Sequence, residues 1–279
     1  MRSALLPIFV LAGAQACVGT TGGDVVDFGA AAAGPADAVA GEALSFTNEL
    51  TNGDTWNVTL TKATLHVGAV YLAQSMPVSG AQSTSCILPG TYVAQITSGL
   101  DVDLLSPDPQ PFPTRGHGTT LDARVGQVWL THGDVDQIPD PSPTPILDIE
   151  GTAERDGDVR PFAGKITIAA NRQDSGGAFA GADTVCKKRI VSPIATSVRI
   201  ESTGGLLLRI DPRFLFVNVD FGKLGHFTNG YGFSDDPKAA DPTSPLFYSQ
   251  PSANLYTNLH RGGGGPGATL YTFLWDDNL

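Results

Sequence analysis

Apolar and polar residues alternate with a period of two along most of the chain after residue 44, a pattern typical of half-buried β-strands. The clearest run starts at Trp56, Val58 and Leu60, which share one face of a strand. The apolar positions then change parity and continue at Ala63, Leu65, Val67, Ala69 and Tyr71. Because one extra residue moves every later side chain to the other face, we predict a bulge or a strand break near Thr61 and Lys62.

Similar runs predict strands along the rest of the chain, at residues 121–130, 146–153, 162–169, 189–201, 206–210, 214–220 and 268–275. Asp156 and Gly157 lie between two of these runs and are a strong signal for a tight hairpin. The sequence has no sustained helical period, and its best helix candidate is a short one at 252–259.

These patterns predict an all-β fold, an antiparallel β-sandwich that occupies residues 44–279. Two proline-rich segments, 106–113 and 138–145, cannot be central strands because proline lacks the donor that a sheet requires. They can separate two sheets of one domain, or two subdomains. No repeat with a period of about 20–50 residues is visible, which argues against a solenoid or a propeller.

The composition supports a folded body and excludes one class of partner. Hydrophobic residues make up 41% of the 279 residues, which is enough for a core. The formal net charge is −11 at pH 7, whereas a nucleic-acid-binding protein needs a basic surface. We therefore expect no nucleic acid among the partners.

The first 16 residues have the pattern of a secretory signal peptide. Arg2 is followed by a short apolar run at 4–13 and by an Ala-x-Ala cleavage motif at 14–16. The apolar run is too short to cross a bilayer core of about 30 Å. The sequence therefore predicts an exported protein.

The residue after the cleavage motif is Cys17, and the segment that ends there resembles a bacterial lipoprotein signal. Small residues stand at Gly13, Ala14 and Ala16, and no charge lies between Arg2 and Cys17. Ala14 departs from the usual pattern, which has leucine there. The resemblance implies that Cys17 becomes a diacylated N-terminus carrying palmitate-type chains, which anchor the protein in a membrane. Val18 in place of aspartate implies the outer membrane or cell surface. The alternative is ordinary cleavage after Ala16, which leaves a free thiol.

Residues 17–43 are rich in Gly, Ala and Thr and poor in large side chains. This composition predicts a disordered, flexible tether between the lipid anchor and the folded body, although residues 25–28 can pair as a strand. The predicted organisation is therefore a signal peptide at 1–16, a lipid-anchored tether at 17–43 and a sandwich domain at 44–279.

The chain has three cysteines, Cys17, Cys86 and Cys186. Acylation of Cys17 leaves Cys86 and Cys186 as a pair, and an exported protein can form a disulfide between them. By closing a long loop, the bond would stabilise the folded protein by about 4–5 kcal/mol in the chain-entropy model. The alternative is two separate buried thiols.

Metal binding is a weaker alternative. None of the five histidines has the short spacing that metal sites often use. Distant side chains can still converge in a sandwich, so copper, zinc or structural calcium stays open. The candidate ligands are His66, His117, His132, Asp134 and Asp136. Aspartates in such loops also cap turns by accepting backbone hydrogen bonds.

Catalytic motifs are absent from the sequence. It contains neither the Gly-x-Ser-x-Gly nucleophile elbow nor a Walker loop, and no dinucleotide fingerprint joins a strand to a helix. Asp148 and Glu150 share a strand face, as a pair of hydrolase carboxylates would, but a solvated charged strand explains them equally well. The sequence therefore favours a non-enzymatic role.

We expect an exported bacterial lipoprotein whose β-sandwich serves in binding, adhesion or envelope structure. Its expected partners are the membrane, through the lipid anchor, and a protein or glycan ligand. No cofactor is predicted apart from the structural calcium left open above. The alternatives are an exported protein that binds Ca, Cu or Zn and, less favoured, a secreted hydrolase.

Overall fold

The computed structural model describes residues 22–75, 91–130, 145–167, 194–227, 230–234, 250–261 and 269–279. The strands within these ranges are β1 (Val25–Ala33), β2 (Leu44–Glu49), β3 (Thr55–Val67), β4 (Ala69–Ala73), β5 (Tyr92–Ile96), β6 (Leu100–Asp103), β7 (Gln110–Pro111), β8 (Gly116–Thr119), β9 (Asp122–Trp129), β10 (Pro145–Arg155), β11 (Asp158–Thr167), β12 (Ile194–Arg199), β13 (Gly205–Ile210), β14 (Gly225–Phe227), β15 (Gly230–Ser234) and β16 (Tyr271–Asp276). Two 3-10 helices, η1 (Pro212–Phe216) and η2 (Phe221–Lys223), and one α-helix, α1 (Gln250–Arg261), complete the described elements. The all-β prediction is confirmed, and α1 covers the predicted helix.

The strands form two sheets that share one core, as in a β-sandwich. Sheet I has the order β12-β9-β4-β5-β8-β1-β13-β16, with β7 also paired to β1. Sheet II has the order β14-β15-β11-β10-β3-β2, with β6 also paired to β3. The pairs β1–β13 and β11–β15 are parallel, so both sheets are mixed rather than purely antiparallel. The end strands β12 and β16 contact each other, which curls sheet I almost into a barrel.

The chain passes between the sheets repeatedly, and two of these passages bear on the sequence predictions. Gly68 alone separates β3 of sheet II from β4 of sheet I, and its N–H donates to the carbonyl of Trp129 at 2.7 Å. The parity predicted to continue past Val67 is wrong here, because Val70 joins the main core while Tyr71 faces the other side. The proline-rich segment 106–113 connects β6 to β8, so it links the two sheets as predicted.

The bulge predicted near Thr61 is confirmed. Glu150 of β10 pairs with Lys62, and the next residue, Gly151, pairs with Leu60, so Thr61 is the extra residue. The apolar side chains on both sides of it are buried: Trp56, Val58, Leu60, Ala63, Leu65 and Val67. The bulge therefore keeps one face of a long strand in the core after the parity changes.

The predicted hairpin is also confirmed. Asp156 and Gly157 form the two-residue turn between β10 and β11, with φ of 51° and 83°. Positive φ at both positions is the requirement of a type I′ turn, which aspartate tolerates and glycine adopts freely.

Residues 25–33 form β1 inside sheet I. The strand pairing allowed for residues 25–28 is therefore confirmed, and the prediction of a tether is wrong for residues 29–33. This strand lies between β8 and β13. Ala32 is buried in the main core, while Ala31 and Ala33 pack on the other face with Leu207 and Leu279. A strand that is covered on both faces needs small side chains where the packing is close. A run of small residues has the same composition as a flexible linker, which is why the strand was predicted as a tether.

The strand predicted at 214–220 is wrong as well. Asp211 caps η1 by accepting the N–H of Arg213, and Pro212 stands at the first helical position. Asn218 has a φ of 58°, which a strand cannot contain. An aspartate before a proline is a helix-start signal, and here it prevails over the apolar alternation that follows.

Candidate functional site

A cluster of three charged side chains joins the loop after β1 to η1. The guanidinium of Arg213 donates from Nη1 and Nη2 to both carboxylate oxygens of Asp37, at 2.8 and 2.9 Å. Its Nε and Nη2 donate to Asp211, with distances of 2.7 to 2.9 Å. We call Asp37, Asp211 and Arg213 the Arg213 clasp. Two bidentate carboxylates hold one arginine in a defined orientation.

Local sequence explains where the clasp forms. Asp211 is the first residue after β13, and its Oδ1 accepts the backbone N–H of Arg213 at 3.0 Å. This cap starts η1 and turns the Arg213 side chain back toward the carboxylate of Asp211 itself. Asp37 follows β1, which runs parallel to β13, so the two aspartates leave neighbouring strands at the same end of sheet I.

The clasp residues reinforce one another's charge. The hydrogen bonds that Arg213 donates to Asp211 and then to Asp37 raise the pKa of Arg213 above its usual value. The hydrogen bond from Arg213 lowers the pKa of Asp37, and desolvation opposes this only in part. Arg213 and Asp37 are therefore both charged at neutral pH.

Two shallow cavities lie on either side of the clasp. One, the Phe46 cavity, has a volume of about 300 Å³ and the other, the Arg209 cavity, about 260 Å³. Both are lined by Asp211, Arg213 and Phe214, which form a shared wall. The Phe46 cavity is completed by Phe46, Thr47, Asn48, Glu49 and Val217. The Arg209 cavity is completed by Pro35, Ala36, Asp37, Arg209, Thr269 and Thr272. We call the two cavities and their wall the clasp cleft.

Arg209 brings a second guanidinium to the cleft. It belongs to β13 and is half-buried, and its Nη1 donates to the carbonyls of Gly34 and Pro107 at 2.9 and 3.2 Å. Two arginines therefore face Asp37 and Asp211 around the Arg209 cavity. The formal charges of these four side chains balance, so this cavity is polar but has no net charge.

Side-chain amides hold the segment behind the cleft. Asn48 Nδ2 donates to the carbonyl of Val219 at 2.8 Å, and this asparagine is buried. Asn258 Nδ2, from α1, donates to the carbonyls of Leu215 and Val217 at 2.9 and 2.8 Å. These bonds satisfy carbonyls that η1 leaves without helical partners. The wall of the cleft is therefore anchored to β2 and α1.

The cleft offers donors, acceptors and aromatic surface. Phe46 and Phe214 present rings beside carboxylates, guanidinium groups and threonine hydroxyls. A concave site with an apolar lining and a few oriented polar groups is typical of ligand binding. Its chemistry suits recognition by hydrogen bonding and ring contact.

The predicted metal ligands that the structure describes lie in separate pairs. His66 Nδ1 is 2.6 Å from Asp101 Oδ1, between β3 and β6. His117 Nδ1 is 2.9 Å from Asp27 Oδ1, between β8 and β1. Within the described ranges, no three or more His, Cys, Asp or Glu side chains gather as a metal site would require. His132, Asp134 and Asp136 lie outside the described residues, so the metal hypothesis stays a prediction.

The carboxylates considered for a hydrolase are neutralised by lysines. Lys62 Nζ lies 2.8 Å from Asp148 and 3.3 Å from Glu150, and Lys165 Nζ is 3.5 Å from Asp148. The hydrogen bonds to Asp148 and then to Glu150 raise the pKa of Lys62. The arrangement is a charged cluster across the adjacent strands β3, β10 and β11, in which both carboxylates contact a lysine.

The cysteines lie outside the described part of the chain. Cys17, Cys86 and Cys186 all fall in ranges that the structure leaves undescribed, so acylation and the disulfide stay predictions.

Sequence reasoning missed the clasp cleft. The sequence places Asp37 in the predicted tether. It places Arg209 in a predicted strand, and Asp211 and Arg213 between two predicted strands. The pair Asp211-Pro212 is the one local signal that marks the start of η1. The contact of Arg213 with Asp37 depends on the pairing of β1 with β13, which no local pattern reveals.

Comparison of the chain with protein-family models, with curated proteins and with solved structures found no match. Among the described residues, no helix has the length and apolar character needed to span a membrane.

Proposed function

We propose that the protein is an exported lipoprotein, held to the outer membrane by acylated Cys17, whose β-sandwich binds a neutral, hydroxyl-rich ligand such as a glycan in the clasp cleft. The observation that carries the binding role is the pair of cavities that meet at one wall of Asp211, Arg213 and Phe214. The anchoring role rests on the signal segment that ends at Cys17.

The charges of the cleft favour a neutral ligand. Arg213 is already bonded to two carboxylates, so its guanidinium is not available as an anion site. Glu49 adds a further negative charge to the Phe46 cavity. In the Phe46 cavity an anionic ligand would therefore meet Asp211 and Glu49, and Arg213 is the one cation in that lining.

The chemistry of the lining fits hydroxyl groups and sugar rings. Carboxylates accept hydrogen bonds from hydroxyls, and threonine side chains both donate and accept. The rings of Phe46 and Phe214 offer apolar surface for the C–H face of a sugar. Two cavities on either side of one wall suit a ligand of more than one sugar unit.

The binding proposal is tested with soluble mature protein that carries Cys17→Ala. Neutral and acidic oligosaccharides are compared on a glycan array, and hits are measured by calorimetry. We expect neutral oligosaccharides to bind, and Phe214→Ala to weaken binding at least tenfold by removing the shared wall. A signal confined to acidic oligosaccharides, or no glycan binding at all, contradicts the glycan assignment.

A matched substitution controls for loss of an arginine–aspartate pair. Arg213→Lys disrupts the two bidentate contacts of the clasp, and we expect it to weaken binding. Arg199→Lys changes an arginine that bonds Asp122 at 2.9 Å and does not line the cleft. Equal losses in the two variants would show that the clasp has no particular role in binding.

The anchoring proposal has its own test. Cells that express the wild-type chain or Cys17→Ala are grown with labelled palmitate, and the protein is isolated from membrane and soluble fractions. Label on the wild type alone supports the anchor. Absence of label from the wild type contradicts it.

A further inference from the structure

The chain between the proposed anchor and the folded body is short. Eight peptide steps separate Cys17 from Val25, the first residue of β1. Whatever their conformation, they span at most about 29 Å, since an extended chain advances by about 3.6 Å per residue. The predicted tether through residue 43 would have allowed far more freedom. The start of β1 therefore stays within about 29 Å of the acylated residue.

Strand direction places the clasp cleft at the opposite end of sheet I. β1 has 9 residues, so Ala33 lies about 26 Å beyond Val25 at about 3.3 Å per residue. Ala33 pairs with Arg209 of the parallel strand β13, and Asp211 follows that strand. We call this end, with Asp37 and Asp211, the clasp end.

The other end of the same strands carries the entry of the chain. Val25 pairs with Thr119, and Gly205 of β13 pairs with Asp276 at the end of β16. We call this the anchor end. Val25 is 70% exposed, the highest value among the exposed large apolar side chains of the described residues. If the anchor end lies close to the bilayer, this exposed apolar side chain can contact lipid.

Electrostatic attraction to the bilayer does not favour a different orientation of the folded body. The formal net charge of −11 gives the body no general attraction to an anionic bilayer surface. Among the described residues, the exposed large apolar side chains are few and are spread over β1, the loop after it, β5, β11, the turn after η1 and β16. The covalent attachment at the anchor end is therefore the dominant constraint on the orientation of the folded body relative to the membrane.

We infer that the anchored protein stands with its anchor end toward the lipid and its clasp end away from it, so that the ligand of the clasp cleft comes from the aqueous phase and not from the bilayer. This inference rests on the proposed attachment through Cys17. It narrows the partner to a soluble or matrix-borne glycan and excludes the glycolipid headgroups of the same membrane leaflet.

The test is energy transfer from the protein to labelled lipid. p-Azidophenylalanine replaces either Asp277, exposed at the anchor end, or Val39, exposed at the clasp end, in the otherwise unchanged chain. Each is coupled to a donor fluorophore, and the acylated protein is reconstituted in vesicles that contain phosphatidylethanolamine with an acceptor on its headgroup. We expect transfer from position 277 to exceed that from position 39 severalfold.

Two further measurements separate the possible failures. Vesicle flotation reports attachment by itself, so protein that does not float contradicts the anchor and the orientation together. Floating protein with equal transfer from both positions, or with stronger transfer from position 39, overturns the orientation alone. A long Gly/Ser insertion between Gly22 and Gly23 is the control, because it should reduce the difference between the positions while flotation persists.

Discussion

The three side chains of the Arg213 clasp depend on one another to different degrees. The side chain of Asp211 is only 18% exposed, whereas that of Asp37 is 64% exposed. Loss of Arg213 would leave a largely buried carboxylate without its cation, which is costly. Loss of Asp37 leaves Arg213 bonded to Asp211, so we expect Arg213→Ala to destabilise the protein more than Asp37→Asn does.

The contribution of Asp37 to stability should depend on pH in a defined direction. Its hydrogen bond with Arg213 lowers its pKa in the folded protein below the ordinary value of 3.8. A carboxyl group whose pKa is lower in the folded than in the unfolded protein stabilises the fold at pH values above its unfolded pKa. This stabilisation is lost as the pH falls through the pKa of the folded protein. We expect wild type to be more stable than Asp37→Asn near neutral pH. The difference should start to shrink as the pH approaches 3.8 and vanish only below the lowered pKa of Asp37 in the folded protein.

Urea midpoints of both proteins, measured from neutral to acidic pH, check this expectation. Glu42→Gln serves as the control, because it removes an exposed carboxylate from the same loop. A difference between wild type and Asp37→Asn that stays constant down to the acid limit would show that the clasp does not stabilise the folded state through the charge of Asp37.

At the level of elements, the sequence predicted half-buried strands well and strands buried on both faces poorly. The bulge at Thr61 was predictable because one face of β3 is apolar and the other polar. β1 was not, because alanines on both of its faces are buried and leave no alternation. The cleft was missed for the same reason, since Asp37 leaves the end of that unrecognised strand.

Inside the curled sheet I, β9 and β16 pack closely although they are not hydrogen-bonded to each other. A Cβ added at Gly126 would lie 2.2 Å from the ring of Phe273. Gly126→Ala should therefore destabilise the protein by about 1–3 kcal/mol through overpacking, measured by urea denaturation. Gly53→Ala is the control, because Gly53 has a φ of +86° and open space around it. It should cost only about 1 kcal/mol of backbone strain.

A double substitution identifies the cause of the Gly126 effect. If the added methyl group collides with the ring, Phe273→Leu in the same chain should relieve much of the loss. The two substitutions would then be strongly non-additive, as expected for side chains in contact. Strictly additive losses would show that Gly126 is needed for a reason other than the approach of Phe273.

For the whole molecule, the sequence left open whether the prolines divide one domain or two subdomains. Local patterns cannot decide this, because sheet membership depends on pairings between distant segments such as β1 and β13. In the folded chain, one hydrophobic core contains Leu72 of sheet I together with Leu65 and Ile149 of sheet II. β3 also continues into β4 through Gly68, so the sheets are joined both by packing and by the backbone.

A shared core predicts that the two sheets unfold together. The chain has three tryptophans, with Trp56 in sheet II and Trp129 and Trp275 in sheet I. Trp56→Phe leaves fluorescence from sheet I, and Trp129→Phe with Trp275→Phe leaves it from sheet II. Within each variant, we expect fluorescence and far-ultraviolet circular dichroism to give the same urea midpoint, as a two-state transition requires. The comparison is made inside one variant, so any destabilisation by the substitutions affects both signals equally. Fluorescence that changes at a different urea concentration from the circular dichroism would show that each sheet belongs to a subdomain with its own stability.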